Sequence, residues 1–417
     1  MKAAAALLAL VSAAIATPLS LYDNTQSPLG DLQLPTSYPG FDLDLSAPRL
    51  VQLDGQDEPV VMTELEKVNP VAPCTDGAPL THHNAFQIQA KVRGIRFFDI
   101  TETPDLGSRA HLRVAKKPSY PAPNHTEAVR SVIDTLEIQN LRDGLDKFTS
   151  YRTRYYRSET GKQSQQWLLG KITEITKKFA PKALQDAISI QEFPHSWAQN
   201  SIIVRINGSS NDDSVVVIGA HLDSTNNWPF LPAPGADDDG SGSMSILEAY
   251  RGLVAAGFQP ERAVEFHWYS AEEGGLLGSQ AVARAYEGRG VNVAAMSQYD
   301  MTAWVKRGTK EQVGIITDFV DPDLTEYNKK LVELYLDIPW VETKCGYACS
   351  DHASWGKAGY PSVFTIEATF QDSNHGNIHT ANDRYDVSDE FSFSHMLEFS
   401  KLAVSFAIEL GGWKKAD

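Results

Sequence analysis

Residues 214–221 read SVVVIGAH, a strand-like run with no alternation of apolar and polar positions. A strand with one face in water alternates; a strand without alternation needs cover on both faces. Five other short runs share this character: SIIVRI at 201–206, AVEFHWYS at 263–270, MSQYD at 296–300, VGIIT at 313–317 and SVFTI at 362–366. Stretches of helical spacing lie among and around them, at 126–151, 164–180, 243–258 and 324–336, with a last helix expected near 389–411. Doubly buried strands separated by helices predict an α/β fold, a three-layer α/β/α sandwich about a central sheet. In such sheets ligands gather outside the carboxyl ends of the strands. No internal repeat is present.

The chain has 417 residues, 42% hydrophobic and 22% charged, enough apolar content for a large core. Its net charge of −16 provides no basic footprint, so nucleic acid is excluded as a partner. The opening MKAAAALLALVSAAIATPLS has one lysine, an apolar stretch and the small-x-small signal Ala14-Ile15-Ala16. It reads as a signal peptide over 1–16, too short for the roughly 20 residues of a spanning helix. The expectation is a secreted, extracellular protein, monomeric and without a membrane anchor. The sequons at Asn124 and Asn207 fit a glycoprotein.

Residues 17 to about 60 are rich in Pro, Gly, Asp and Ser and cannot form a packed core alone. They are read as part of a propeptide over 17–115, its boundary between 80 and 118, ahead of a catalytic domain over 118–417. Three cysteines are present, Cys74, Cys345 and Cys349. If Cys74 is removed on maturation, the other two, four positions apart, can bridge where the backbone bends, or stand as buried thiols.

Polar residues recur where the apolar strands stop: His221 and Asp223 after one, Glu272 and Glu273 after another, Asp300 after a third. PGADDDGSG at 234–242 adds three adjacent aspartates between glycines, and GNIHTANDRYD adds His379. Adjacent carboxylates raise one another's pKa unless a cation sits among them. Taken alone, the triplet reads first as a solvated acidic turn. With the histidines the set suits zinc, and is rich enough for two ions sharing a carboxylate. An EF-hand calcium loop needs oxygen donors through twelve residues and a closing Glu, which the triplet does not supply. Asp223, two after His221 on the same face, is placed to hold the second ring nitrogen of His221. His352 and His375 are rivals for a ligand role, and His267 reads as structural.

GAHLDS, APGADDDGSG, YSAEEGGLLGSQ, QYDMT, CGYACSDHASW and IHTANDRYD occur in the order seen in the secreted co-catalytic di-zinc aminopeptidases. The chain resembles these leucine-aminopeptidase-like enzymes of fungi and bacteria from about 120 to 410. The resemblance implies a mixed, mostly parallel twisted sheet and two zinc ions per chain. It assigns His221 and Asp300 to one ion, Glu273 and His379 to the other, and the bridge to Asp238. It makes Glu272 the general base, Tyr347 the active-site tyrosine, and Cys345 and Cys349 a disulfide. The run QDSNHGNI, between Phe370 and His379, departs from the family pattern beside the substrate pocket.

The implied reaction is hydrolysis of peptides at a free N-terminus. Met301, Ile316, Phe364, Ile366 and Phe370 are candidates for an apolar pocket that favours Leu or another large apolar first residue; as core residues they are equally ordinary. Other zinc hydrolases or glutaminyl cyclases of the same fold, and a non-catalytic binding module, are the alternatives.

Overall fold

In a computed structural model of the protein, the described residues are 38–53, 58–68, 97–114 and 119–413. All of them belong to one compact unit. Strands β1 (Pro48–Leu53), β2 (Val60–Thr63) and β3 (Phe97–Asp99) form a small antiparallel sheet in the order β2-β1-β3. Eight further strands build the main sheet: β4 (Ile188–Phe193), β5 (Ser201–Ile206), β6 (Ser214–His221), β7 (Ala263–Tyr269), β8 (Asn292–Tyr299), β9 (Val313–Ile316), β10 (Trp340–Thr343) and β11 (Ser362–Ile366). Their order is β10-β9-β11-β8-β6-β7-β5-β4. Four joints are parallel, including both sides of β6, and the joints β11 to β9, β7 to β5 and β5 to β4 are antiparallel.

The uniform apolarity of β6 now has its cause. Val216, Ile218 and Ala220 enter a core shared with the helices Ile138–Thr149, Glu159–Phe179, Gly242–Ala255 and Phe393–Gly411. Val215 and Val217 point the other way, into a core with Val282, Ala283 and Tyr286 of the helix Leu277–Arg289 and Trp355 of the helix His352–Lys357. Successive side chains leave a strand on opposite faces, so a strand roofed twice must be apolar at every position. Each fully buried Val or Ile contributes on the order of 1.5–3 kcal/mol.

The six expected strands are all present. The edge strands β4 and β10 were not foreseen; half-exposed, their sequences ISIQEF and WVET carry polar residues that dilute the apolar signal. The helical stretch expected over 126–151 is two helices, Thr126–Ile133 and Ile138–Thr149. Between them Glu248 accepts the amide of Glu137 at 2.8 Å, drawing the chain into a new start.

Residues 38–53, 58–68 and 97–114 belong to the same unit as the larger part and also carry a small core of their own, which their composition did not predict. Leu43 and Leu45 pack with Tyr155, Tyr156, Trp197 and Leu277 of the larger part, and Val51, Leu53, Val60 and Met62 form a separate small core. The expected signal peptide, Cys74 and most of the span expected to hold the maturation boundary lie outside the described residues. No helix among the described residues is long and apolar enough to cross a membrane.

Candidate metal centre and substrate cleft

Strands β8, β6 and β7 are neighbours, so the residues just past their carboxyl ends meet at one edge of the sheet. His221 ends β6, Asp300 follows β8, and Glu272 and Glu273 follow β7. The aspartate turn reaches the same place from the loop after β6. Its entry, Gly235, has a φ of 56°, and a Cβ there would stand 2.5 Å from Ser224 Cβ and 2.6 Å from the Asp238 carbonyl oxygen. Only glycine meets both demands.

The three aspartates part company. Asp239 accepts the amides of His221 at 3.1 Å and Gly242 at 2.8 Å, the latter in the first turn of a helix. Asp237 accepts from Ala303 N at 3.2 Å and Asn374 Nδ2 at 3.0 Å. Asp238 alone faces the histidines: its Oδ1 lies 3.0 Å from His221 Nε2 and its Oδ2 3.0 Å from His379 Nε2. Asp300 Oδ1 lies 3.6 Å from His221 Nε2, and Glu273 Oε2 3.0 Å from His379 Nε2. Two groups of potential metal ligands result, His221, Asp238, Asp300 and Asp238, Glu273, His379, each with its donor atoms within 4.8 Å of one another. Asp238 belongs to both.

This donor set fits divalent cations. Asp300 Oδ1 and Glu273 Oε1 are buried without a hydrogen-bond donor. Burial, with the charge of Asp238 added, pushes the Asp300 and Glu273 carboxyls above their ordinary range, although the histidines pull against it. Conversely, the carboxylates hold both histidines well above the usual imidazole pKa despite burial. Converging anionic lone pairs of this kind are satisfied by a cation.

Asp223 Oδ1 lies 3.5 Å from His221 Nδ1, an ion-pair distance, and the two oxygens of Asp223 also accept the amides of Glu272 at 3.0 Å and Glu273 at 3.2 Å. It ties the two strand ends together, a role its sequence position did not reveal. Ser350, also unforeseen, donates to Asp300 Oδ2 at 2.6 Å, and Asp383 accepts the amides of Asp237 and Asp238, both at 3.0 Å. Neither lies in a strand-end pattern that would have drawn notice.

Glu272 borders a cleft of about 210 Å³ with Asp238, Glu273, Asp300, His379 and Tyr347. Burial and the nearby charges of Asp351, Glu273 and Asp300 drive its pKa well upward against the pull of His221. Cys345 and Cys349 are disulfide-bonded, with Cα atoms 6.2 Å apart, and Tyr347 stands between them with its ring 6.0 Å from that of Phe370. Met301, Ile316, Phe364 and Ile366 form one apolar cluster, extended by Phe370, Ile378 and the two cysteines. Met301, Phe364, Ile366 and Phe370 line the cleft, whereas Ile316 is fully buried in the same cluster behind them.

Of the rival histidines, His375 lines the cleft outside both ligand groups, and His352 is fully buried with its ring 5.0 Å from that of Phe364. His267 bonds Glu265 at 2.9 Å and Tyr269 at 3.1 Å inside the sheet. Asn124 and Asn207 are both exposed.

Two residues of the N-terminal part, Lys67 and Phe97, also line the cleft. Lys67 Nζ bonds Glu64 at 2.9 Å, Asp99 at 3.0 Å and the Gly274 carbonyl at 3.2 Å; Arg49 bonds Asp99 at 2.7 Å. Asp99 N donates to the carbonyl of Gly275, whose φ is 100° and where a Cβ would stand 2.9 Å from that nitrogen.

Residues 201–403 match Peptidase family M28. Leucine aminopeptidase 1 of Pyrenophora tritici-repentis is 43% identical over 421 residues, covering 98% of each chain. Among solved structures, the LapA aminopeptidase of Legionella pneumophila superposes with a TM-score of 0.66 at 32% identity, covering 76% of this chain and 85% of that one. LapB of the same organism gives 0.70 at 26% identity, covering 87% and 95%. The likeness spans nearly the whole sequence as well as the fold, and the chain belongs to peptidase family M28.

Proposed function

We propose that this metallo-aminopeptidase is made as a secreted proenzyme whose catalytic part holds two zinc ions. It releases leucine or another large apolar residue from the free N-terminus of a peptide. The observation that most supports this reading is the pair of ligand groups sharing Asp238. His221 and Asp300 would hold one ion, Glu273 and His379 the other, and Asp238 both. Nitrogen and carboxylate donors suit zinc, and the shared carboxylate suits a paired site. Two such ions supply Lewis acidity, making water more acidic and polarising the scissile carbonyl.

The chain's own residues do the rest. Glu272, on the cleft wall, takes a proton from the attacking water at its carboxylate and delivers it to the leaving amine. Tyr347, on the cleft wall, donates a hydrogen bond towards the carbonyl oxygen as charge develops there. Met301, Phe364, Ile366 and Phe370 take up the first side chain, in accord with the name carried by the fungal relative.

The small-residue cleavage signal and the two exposed sequons support secretion and glycosylation. Lys67 and Phe97 on the cleft wall support a propeptide that restricts the site until it is removed. Metal analysis together with peptide digestion tests the reading. Two zinc ions per chain and stepwise release of free N-terminal residues are expected, with N-acetylated peptides left uncut. One ion per chain, or formation of pyroglutamyl products, would turn it towards a cyclase.

A further inference from the structure

His221 and Asp238 stand on separate segments, the end of β6 and the turn that opens at Gly235, and neither segment bonds the other through a sheet. We propose that Arg154 is a positioning residue that clamps these two segments and thereby sets the spacing of the two ligand groups. The inference rests on the two-zinc reading above.

Arg154 is fully buried and spreads its guanidinium over main-chain acceptors. Nε donates to the carbonyl of Leu222, next to His221, at 3.0 Å. Nη1 donates to the Pro234 carbonyl, and Nη2 to that of Gly235 at 2.9 Å. One rigid plane thus joins the strand end to the entry of the aspartate turn. The main chain repeats the link: Arg154 N donates to Ser224 Oγ at 3.0 Å, and that hydroxyl donates to the Ala233 carbonyl at 2.8 Å.

The guanidinium itself is held in place. The ring of Phe148 lies 4.2 Å from Cζ, and Gln199 donates to the Arg154 carbonyl at 2.9 Å. From the other side, the Asp383 carboxylate holds the amides of Asp237 and Asp238. The turn is therefore gripped by its carbonyls through a cation and by its amides through an anion. Burial lowers the Arg154 pKa to about 10 against the pull of Asp383, Asp239, Asp223 and Asp238, which leaves it charged at neutral pH. Arg154 does not line the cleft, so it acts through the ligands and not on substrate. Lysine, a point charge without a planar fork, cannot span three carbonyls at once.

The test compares zinc-loaded wild type, Arg154→Lys and Arg154→Gln, with circular dichroism as the check on folding. Zinc affinity is read by competition with a chromogenic chelator, and leucyl-p-nitroanilide turnover as separate kcat and KM. Both variants are expected to bind at least one of the two zinc ions ten-fold or more weakly, with kcat down at least ten-fold and KM within about three-fold of wild type. If Arg154→Gln does not fold, Arg154→Lys decides alone. A folded Arg154→Lys with wild-type zinc affinity and kcat overturns the clamp. A wild type that binds no pair of zinc ions overturns the two-zinc reading and the clamp with it, and is told apart because it appears before any substitution is made.

Discussion

The ammonium of Lys67 donates to the carbonyl of Gly274 at 3.2 Å, across 207 positions of sequence and one residue beyond Glu273. The N-terminal part is thereby fastened to the turn that carries both glutamates of the site. The full chain is expected to hydrolyse leucyl peptides at least ten-fold more slowly than protein cleaved between residues 80 and 118. Lys67→Met removes one of the two cations paired with the buried Glu64 and Asp99 and leaves Arg49, a loss of up to about 3–5 kcal/mol, the cost of breaking a buried pair. It should raise the activity of the uncleaved chain. Peptidase assays before and after limited proteolysis check this, and equal rates would remove the covering role.

Glu272→Gln keeps shape and volume but removes the proton acceptor. It should retain two zinc ions and lose about 10²–10⁴-fold in kcat, the range of general-base catalysis. Turnover within a few-fold of wild type would exclude Glu272 as the base.

Asp238→Asn replaces an anionic bridge by an amide with one acceptor oxygen. Because Asp238 alone is common to both ligand groups, this change should weaken both ions at once, whereas Asp300→Asn should weaken one. Metal content after dialysis against a chelator distinguishes them; two retained ions in Asp238→Asn would contradict the bridge.

Phe370 stands between Tyr347 and His375, with ring separations of 6.0 Å and 4.6 Å. Phe370→Ala opens the apolar wall, and the preference for leucyl over alanyl substrates should fall by ~10–200-fold in kcat/KM, the worth of apolar contacts in a pocket. An unchanged ratio would mean that the first side chain binds elsewhere.

Acid stability should depend on Glu265. Burial raises its pKa, but the bonds to His267, Tyr286 and Arg205 together outweigh that and bring it from 4.5 down to about 2. A depressed folded-state pKa stabilises above the unfolded value, so this contribution is full above about pH 5 and is lost as pH falls towards 2. Glu265→Gln should be less stable at pH 7 and show a shallower loss of Tm below pH 5. Parallel Tm-against-pH curves for variant and wild type would contradict it.

The central strands were legible because burial on both faces leaves a mark that one strand carries by itself. SVVVIGAH, SIIVRI and SVFTI needed no partner to be recognised. ISIQEF and WVET did, since an edge strand is defined by what fails to cover it. The polar residues at the strand ends were visible for a related reason: a metal-capable side chain directly after an apolar run is unusual wherever the chain goes next.

Sequence by itself determined which residue types stand at the carboxyl ends of the strands and, through its motifs, the family. The motif resemblance had already put the bridge on Asp238; what the tertiary structure added is the reason, because Asp237 and Asp239 are taken up by amides that only the fold brings near. Arg154, Ser350 and Asp383 likewise became informative only in place, since their partners are main-chain groups and site carboxylates brought close by the sheet. Periodicity and residue type are local properties of a chain; the satisfaction of a buried polar group is a property of its neighbours in space.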